Sequence, residues 1–158
     1  MIVVVMGVSG AGKTTIGRRL AERLGLPFIE GDDYHPPANV AKMASGVPLA
    51  DEDRWPWLDA LNAALRRQRN AVLACSALKA AYRARLLAGI EDARVVHLYG
   101  DKAIIAGRLK QRAHRYMPAS LLDSQFAILE PPAGAIAIDV SGDVERTVEE
   151  IARRVSVL

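Results

Sequence analysis

The chemistry in this chain is densest between Gly7 and Thr14, where Gly-Val-Ser-Gly-Ala-Gly-Lys-Thr fits the pattern G-x-x-x-x-G-K-[ST]. Gly7, Gly10 and Gly12 let the backbone turn its N–H groups onto phosphate oxygens. Lys13 supplies a compact cation for the β- and γ-phosphates of a nucleotide, and the Thr14 hydroxyl is a ligand suited to Mg²⁺. Val8, Ser9, Ala11 and Thr15 complete the candidate ATP-binding segment. A helix that opens at Lys13 adds its N-terminal N–H groups and dipole to the same anion.

Two further clusters have residue types suited to an acceptor. Gly31-Asp32-Asp33-Tyr34-His35 follows the apolar triplet Phe28-Ile29-Glu30. Asp32 is placed to orient or deprotonate an acceptor hydroxyl, or to hold a Mg²⁺-bound water; capping of the next helix is the non-catalytic alternative. His35 is suited to hydrogen bonding with a polyol. Cys75-Ser76-Ala77-Leu78-Lys79 precedes Tyr82-Arg83. Lys79 and Arg83 are four apart, a spacing that puts both on one helix face, where an anionic partner would offset their repulsion. Arg108, Arg112 and Arg115 form a second basic set, spaced to close over ATP and neutralise charge as a phosphoryl group moves. Cys75 reads as a small buried strand residue, His97 as a packed strand histidine, and Trp55 and Trp57 as core or lid-packing residues. No spacing matches a zinc site, a Ser-His-Asp triad or an RNA-binding motif.

The elements that position these residues follow from the apolar pattern. Residues 2–6 form a continuous apolar run suited to a strand buried on both faces. A helix is expected over about 13–24, a short strand at 28–30, a loop over 31–37 and a short helix at 37–45. Trp57, Leu58, Leu61 and Leu65 mark a helix with Pro56 near its start. Strands are expected at 71–75, 94–99 and 136–140. Ser76 is the expected cap of a helix that runs to about Ala88, and Asp101 that of the next. Residues 113–118 read as irregular. Leu121, Leu122, Phe126 and Leu129 mark a helix closed by Pro131-Pro132, and a last helix runs over 143–157. Five apolar strands separated by helices predict an α/β fold, a five-stranded parallel sheet with helices on both faces. Ligands in such sheets bind beyond the carboxyl ends of the strands.

At 158 residues the chain is the length of one domain. Hydrophobic residues make up 51% and charged residues 25%, a globular composition. The net charge of +3 suits anionic ligands, and the basic residues are spread along the chain instead of forming a nucleic-acid-binding tail. The single cysteine, Cys75, cannot form an internal disulfide. No apolar run approaches the ~20 residues of a membrane span, and the N-terminal run is too short for a signal peptide. The expectation is a soluble, cytoplasmic protein.

Taken together, these blocks resemble the small gluconokinases of the adenylate-kinase-like phosphate-loop group. The resemblance runs from Val3 to about Pro132. It rests on the phosphate loop, Gly31 to Pro36, Asn39, Lys42-Met43, Asp51 to Arg54 with Pro56-Trp57-Leu58, Cys75 to Lys79 with Tyr82-Arg83, and Ser124 to Phe126 with Leu129 to Pro131. It implies a three-layer sandwich like that of the P-loop nucleoside kinases, with a substrate-binding helical insert at about 33–68 and a small lid at about 112–122. It implies ATP-dependent, Mg²⁺-assisted phosphorylation of D-gluconate to 6-phospho-D-gluconate, a step of sugar-acid catabolism that feeds the pentose phosphate pathway. Lys13, Asp32 and Arg112 would then be catalytic, and Arg108 would join the loop in binding ATP. Asp32, His35, Arg54, Lys79, Arg83 and Gln125 would contact the sugar acid. Members of the group are often homodimers.

The chain departs from the family pattern at Arg112-Ala113-His114-Arg115-Tyr116, where the family often reads Arg-x-Gly-His-aromatic. Three rival readings are weaker. Shikimate kinases carry a glycine triplet where this chain has Ser76 to Lys79. Adenylate kinases usually carry Pro-Gly in place of Ser9-Gly10. A module that binds ATP without transferring phosphate would not need Asp32 and a set of acceptor contacts.

Overall fold

A computed structural model of the chain describes residues 1–110 and 119–157. Five strands, β1 (Ile2–Met6), β2 (Phe28–Glu30), β3 (Ala71–Ala74), β4 (Ala93–Tyr99) and β5 (Ile136–Asp139), form one parallel sheet in the order β2-β3-β1-β4-β5. The helices are α1 (Lys13–Leu24), α2 (Pro37–Ala44), α3 (Asp51–Gln68), α4 (Ala80–Leu86), α5 (Lys102–Lys110), α6 (Ala119–Ile128) and α7 (Val144–Ser156). The predicted five-stranded parallel sheet with helices on both faces is the observed architecture.

Strand β1 shows why the layers form. All five of its residues are buried. Val3 and Val5 point into a core shared with Ile16 and Leu20 of α1 and Ile151 and Val155 of α7. Ile2, Val4 and Met6 point the other way, toward Leu58, Leu61 and Leu65 of α3 and Leu86 of α4. The two-residue period of a strand thus feeds one apolar run into two separate cores. Close packing leaves some glycines little room for a side chain. A Cβ on Gly17 of α1 would lie 2.7 Å from the Phe28 ring, so α1 presses directly onto the start of β2.

Three local expectations need correction. The segment 31–37 is not simply a loop: Gly31–Tyr34 winds into a 3₁₀ turn whose Asp32 N–H faces the Glu30 carboxylate. Helix α3 starts at Asp51, so Pro56 lies inside it and not near its start. The acidic first turn accounts for the early start, because Asp53 accepts a hydrogen bond of 2.8 Å from the Ala50 N–H and three acids meet the positive end of the helix dipole. Ser76 does not cap the following helix, which begins at Ala80 and ends at Leu86. Ala77 takes a positive φ of 44°, and the Ala80 N–H is instead capped by the Glu130 carboxylate at 2.7 Å.

Every strand ends on one edge of the sheet, and the loops after β1, β2 and β3 carry the residues with chemistry. No described helix is long and apolar enough to cross a membrane.

Gly31 has no room for a side chain, since an added Cβ would sit 2.5 Å from the Ala74 carbonyl oxygen. Gly31→Ala is expected to lower stability by about 1–3 kcal/mol, as overpacking does. Gly107, on α5, faces open space. Gly107→Ala is expected to raise stability by roughly 0.5–1 kcal/mol. Denaturant unfolding of the two variants beside the parent checks the opposite signs.

Candidate active site

The loop after β1 curls under its own glycines. Gly10 and Gly12 have φ values of 85° and 96°, a region that side-chain-bearing residues rarely enter. Gly12 also serves as the N-cap of α1, so the loop delivers its N–H groups at a helix N-terminus. Lys13 Nζ donates to the Val8 carbonyl at 3.0 Å, which folds the side chain back along the loop. The Thr14 hydroxyl donates to Glu30 Oε2 at 2.5 Å, tying the loop to the end of β2. Gln125, from α6, clasps Ser9: its Oε1 accepts from the Ser9 N–H at 2.8 Å and its Nε2 lies 3.3 Å from the Ser9 hydroxyl.

This loop is the shared wall of two cavities. On one side Gly10, Ala11, Gly12 and Thr15 border a space of about 170 Å³ closed by Leu98, Arg108, Val140, Gly142 and Thr147. Arg108 Nη2 donates to the Val140 carbonyl at 2.5 Å, which fixes its guanidinium over this space. On the other side Ser9 and Lys13 border a cleft of about 80 Å³ that also takes in Asp32, His35, Arg54 and Gln125. Met43, Leu49, Trp57, Leu78 and Leu121 give that cleft its apolar walls.

Several polar residues of the cleft are held from behind. The Trp57 indole N–H donates to the Gly31 carbonyl at 2.8 Å and fixes the height of the turn that carries Asp32. The same indole stacks on His35 with ring centroids 4.1 Å apart. Arg54 donates through Nη1 to the Leu49 carbonyl and to the Tyr82 hydroxyl, at 2.8 and 2.7 Å. The Tyr82 hydroxyl in turn donates to Asp51 at 2.5 Å, and Lys79 closes the chain on Asp51 at 3.2 Å. The Asp51 carboxyl is held below the usual carboxylate range by the Tyr82 hydroxyl first and by Lys79 second.

Four of the six predicted acceptor-site residues therefore share the cleft: Asp32, His35, Arg54 and Gln125. Lys79 lies behind them, linked through Asp51 and Tyr82. Arg83 is not among the residues lining the cleft, and the expectation that it shares a helix face with Lys79 fails. Lys79 precedes α4, whereas Arg83 is buried, and its guanidinium donates to the carbonyls of Ala77, Leu78 and Glu130. Its role is to tie the segment after β3 to the segment after α6. Cys75 is fully buried just past β3, and burial pushes its thiol up to about 12, as expected of an inert strand-end residue. Arg112 and Arg115, with 112–118 of the expected lid, lie outside the described residues.

Sequence reasoning missed the residues that close the first cavity, Leu98, Val140, Gly142 and Thr147. Their types carry no chemical signature. The rule that ligands sit past the strand ends was the available signal for Val140 and Gly142, which follow β5.

The described residues contain no group of three or more His, Cys, Asp or Glu side chains placed to hold a metal. The Thr14 hydroxyl and the neighbouring Glu30 carboxylate are hard oxygen donors beside the phosphate loop. That donor set fits Mg²⁺, which keeps most of its waters and leans on phosphate oxygens.

The chain is similar to known proteins over most of its length. Residues 2–132 match the family model described as AAA domain. The chain is 49% identical over 158 residues to a gluconokinase of Gluconobacter oxydans (strain 621H), covering 96% of this chain and 89% of that one. It is 46% identical over 173 residues to a probable gluconokinase of Xenopus tropicalis, covering 96% and 91%. The fold superposes on the crystal structure of a gluconokinase from Sinorhizobium meliloti 1021 with a TM-score of 0.90 and 42% identity, covering 98% and 90%.

Half-buried His35 and buried His97 give the fold a pH dependence. Burial is the largest influence on His35 and lowers it below its ordinary 6.5; Asp32 opposes the shift and Arg54 adds to it. Burial, then Arg83, lowers His97 likewise. The unfolded chain therefore binds more protons than the fold just below the ordinary imidazole value, and stability falls as pH drops through it. The fold contributes this stability in full above about 6.5. Urea midpoints are expected to fall from about pH 7.5 to about 5.5 and to fall less in His97→Gln. An unchanged slope in that variant contradicts the assignment.

Proposed function

The chain belongs to the gluconokinase family, and on that footing we propose that it moves the γ-phosphoryl group of ATP to the terminal hydroxyl of D-gluconate, giving 6-phospho-D-gluconate and ADP. The observation that carries this reading is the phosphate loop standing as one wall between two cavities. The larger suits a nucleotide's base and ribose, with Arg108 over it. The cleft suits a small anionic polyol: Arg54 for carboxylate or hydroxyl oxygens, His35 and Gln125 for hydroxyls, Asp32 for the reacting one.

In this arrangement Lys13 and the loop N–H groups hold the β- and γ-phosphates and spread the charge that develops on the moving group. The Asp32 carboxylate orients the terminal hydroxyl and takes its proton. The hydroxyl oxygen forms a bond to the γ-phosphorus as the bond from that phosphorus to the β–γ bridging oxygen breaks, leaving its electron pair on ADP. Thr14 is the residue placed to hold Mg²⁺, which when bound neutralises phosphate charge. Glu30 accepts a hydrogen bond from the Thr14 hydroxyl and so orients its lone pairs. The segment 33–68 acts as the acceptor-binding insert and 112–122 as a lid contributing Arg112. The buried single cysteine suits a reducing cytoplasm.

The reading is tested by coupled ADP release with D-gluconate, shikimate, AMP or no acceptor. Turnover that depends on gluconate is expected. Equal ADP release without an acceptor would mean a nucleotide-hydrolysing module, and turnover with another acceptor would reassign the cleft. Asp32→Asn is expected to keep ATP affinity and to lower kcat by about 10²–10⁴-fold, the range of general-base contributions. An unchanged kcat removes Asp32 from the proton-accepting role.

A further inference from the structure

Asn39, on α2, is buried, with only 4% of its surface exposed. Its Nδ2 lies 2.9 Å from the Asp53 carbonyl oxygen and 3.1 Å from His35 Nδ1. A main-chain carbonyl only accepts hydrogen bonds, so the atom facing it is the amide nitrogen, and the orientation of the amide is settled. The second hydrogen on the same nitrogen then meets His35 Nδ1, which must accept it. A neutral imidazole that accepts at Nδ1 carries its proton on Nε2. One ring face is covered by Trp57. Nδ1 is occupied, and His35 lines the cleft, which leaves Nε2 as the ring nitrogen available to a ligand there.

We propose that Asn39 is a positioning residue that fixes His35 as the neutral Nε2–H tautomer, so that His35 serves the acceptor as a hydrogen-bond donor and leaves Asp32 as the group that takes the hydroxyl proton. The proposal rests on the reading of the cleft as a sugar-acid site. It divides the work between two residues that are each able to accept a proton. A bare Nε2 would compete with Asp32 for the hydroxyl hydrogen, whereas Nε2–H donates to a lone pair of a hydroxyl or carboxylate oxygen.

The charged groups around the ring leave the neutral form in place. Asp32, on the 3₁₀ turn, favours the imidazolium, while burial and Arg54, on α3, oppose it, and the balance is downward. Lys13 of α1 shares the cleft and is a further cation. An imidazolium would also set an N–H at Nδ1 against the Asn39 amide hydrogen, donor against donor. The Asn39 amide itself is kept in place from both ends of its neighbourhood. It bonds the Asp53 carbonyl, and the Asp53 carboxylate receives Lys42 of α2 at 2.6 Å.

The test reads the tautomer directly. Long-range ¹H–¹⁵N correlation on labelled protein without ligand is expected to show His35 with a proton on Nε2 and a bare Nδ1, its signals assigned by their loss in H35Q. Asn39→Ala is expected to give mixed tautomers and to raise the KM for gluconate by about tenfold while leaving the KM for ATP unchanged, the effect of losing one oriented neutral hydrogen bond. A second pair of variants does not depend on Asn39. H35Q places an amide near the Nε2 position and is expected to keep most of the gluconate affinity; H35N places it near Nδ1 and is expected to lose it. A wild-type His35 protonated on Nδ1, an unchanged gluconate KM in Asn39→Ala, or H35Q no better than H35N each overturns the proposal. Should Asn39→Ala fail to fold, the wild-type tautomer and the H35Q and H35N pair decide it. Absence of gluconate turnover in the parent protein would instead sink the sugar-acid reading and leave the tautomer assignment standing.

Discussion

The hydrogen bond from the Trp57 indole N–H to the Gly31 carbonyl is the constraint on which the acceptor side of this molecule depends. Strand β2 is an edge strand of three residues, and by itself it is weakly held. The chain leaves it through Gly31, which is pressed so close to Ala74 that no side chain fits. Trp57 is buried in the core beneath α3 and bonds to the carbonyl at that point. One residue therefore fixes where β2 ends, how high the turn bearing Asp32 stands, and the plane of His35. Leaving a buried N–H and carbonyl unpaired costs roughly 1–3 kcal/mol, which is large beside the anchoring of a three-residue strand.

The phosphate side is built on different support. Its loop is closed by the glycines that follow β1 and is packed from outside by α5, whose Leu109 and Ile105 side chains lie against Gly10. The two sides meet at a few polar contacts: Thr14 with Glu30, and Ser9 with Gln125. That separation is physically useful. On the proposed reading, nucleotide and acceptor are each held by preformed groups while the reacting oxygen and phosphorus are brought into line across the loop that separates the two cavities. The chain of contacts from Arg54 through Tyr82 and Asp51 to Lys79 fixes one guanidinium nitrogen. It thereby limits the freedom that a long cation would otherwise lose on binding a carboxylate.

Local signals were legible in the sequence. The loop from Gly7 to Thr14 declared itself through a fixed spacing between a buried strand and an amphipathic helix. The five strands declared themselves through short apolar runs, and Asp32, His35 and Arg54 through their place beyond strand ends or in a specific family block. What could not be read depends on contacts distant in the chain. The cap of α4 comes from Glu130, fifty residues away, so Ser76 was the natural but mistaken choice. Arg83 carries the same charge as Lys79 at helical spacing, and only the packed structure shows its guanidinium spent on three carbonyls. Pro56 obscured the start of α3 because the acidic turn before it carries no apolar period. Trp57 read as a core residue, which it is; its second role appears only once the Gly31 carbonyl is in place.

The most direct test is the kinetics of Trp57→Phe, which keeps an aromatic ring for His35 and the core but removes the N–H that holds Gly31. The account predicts that kcat/KM for gluconate falls by about tenfold or more while the Kd for ATP is unchanged, since only the acceptor turn is released. Unchanged gluconate kinetics, or an equal loss toward both ligands, would contradict it.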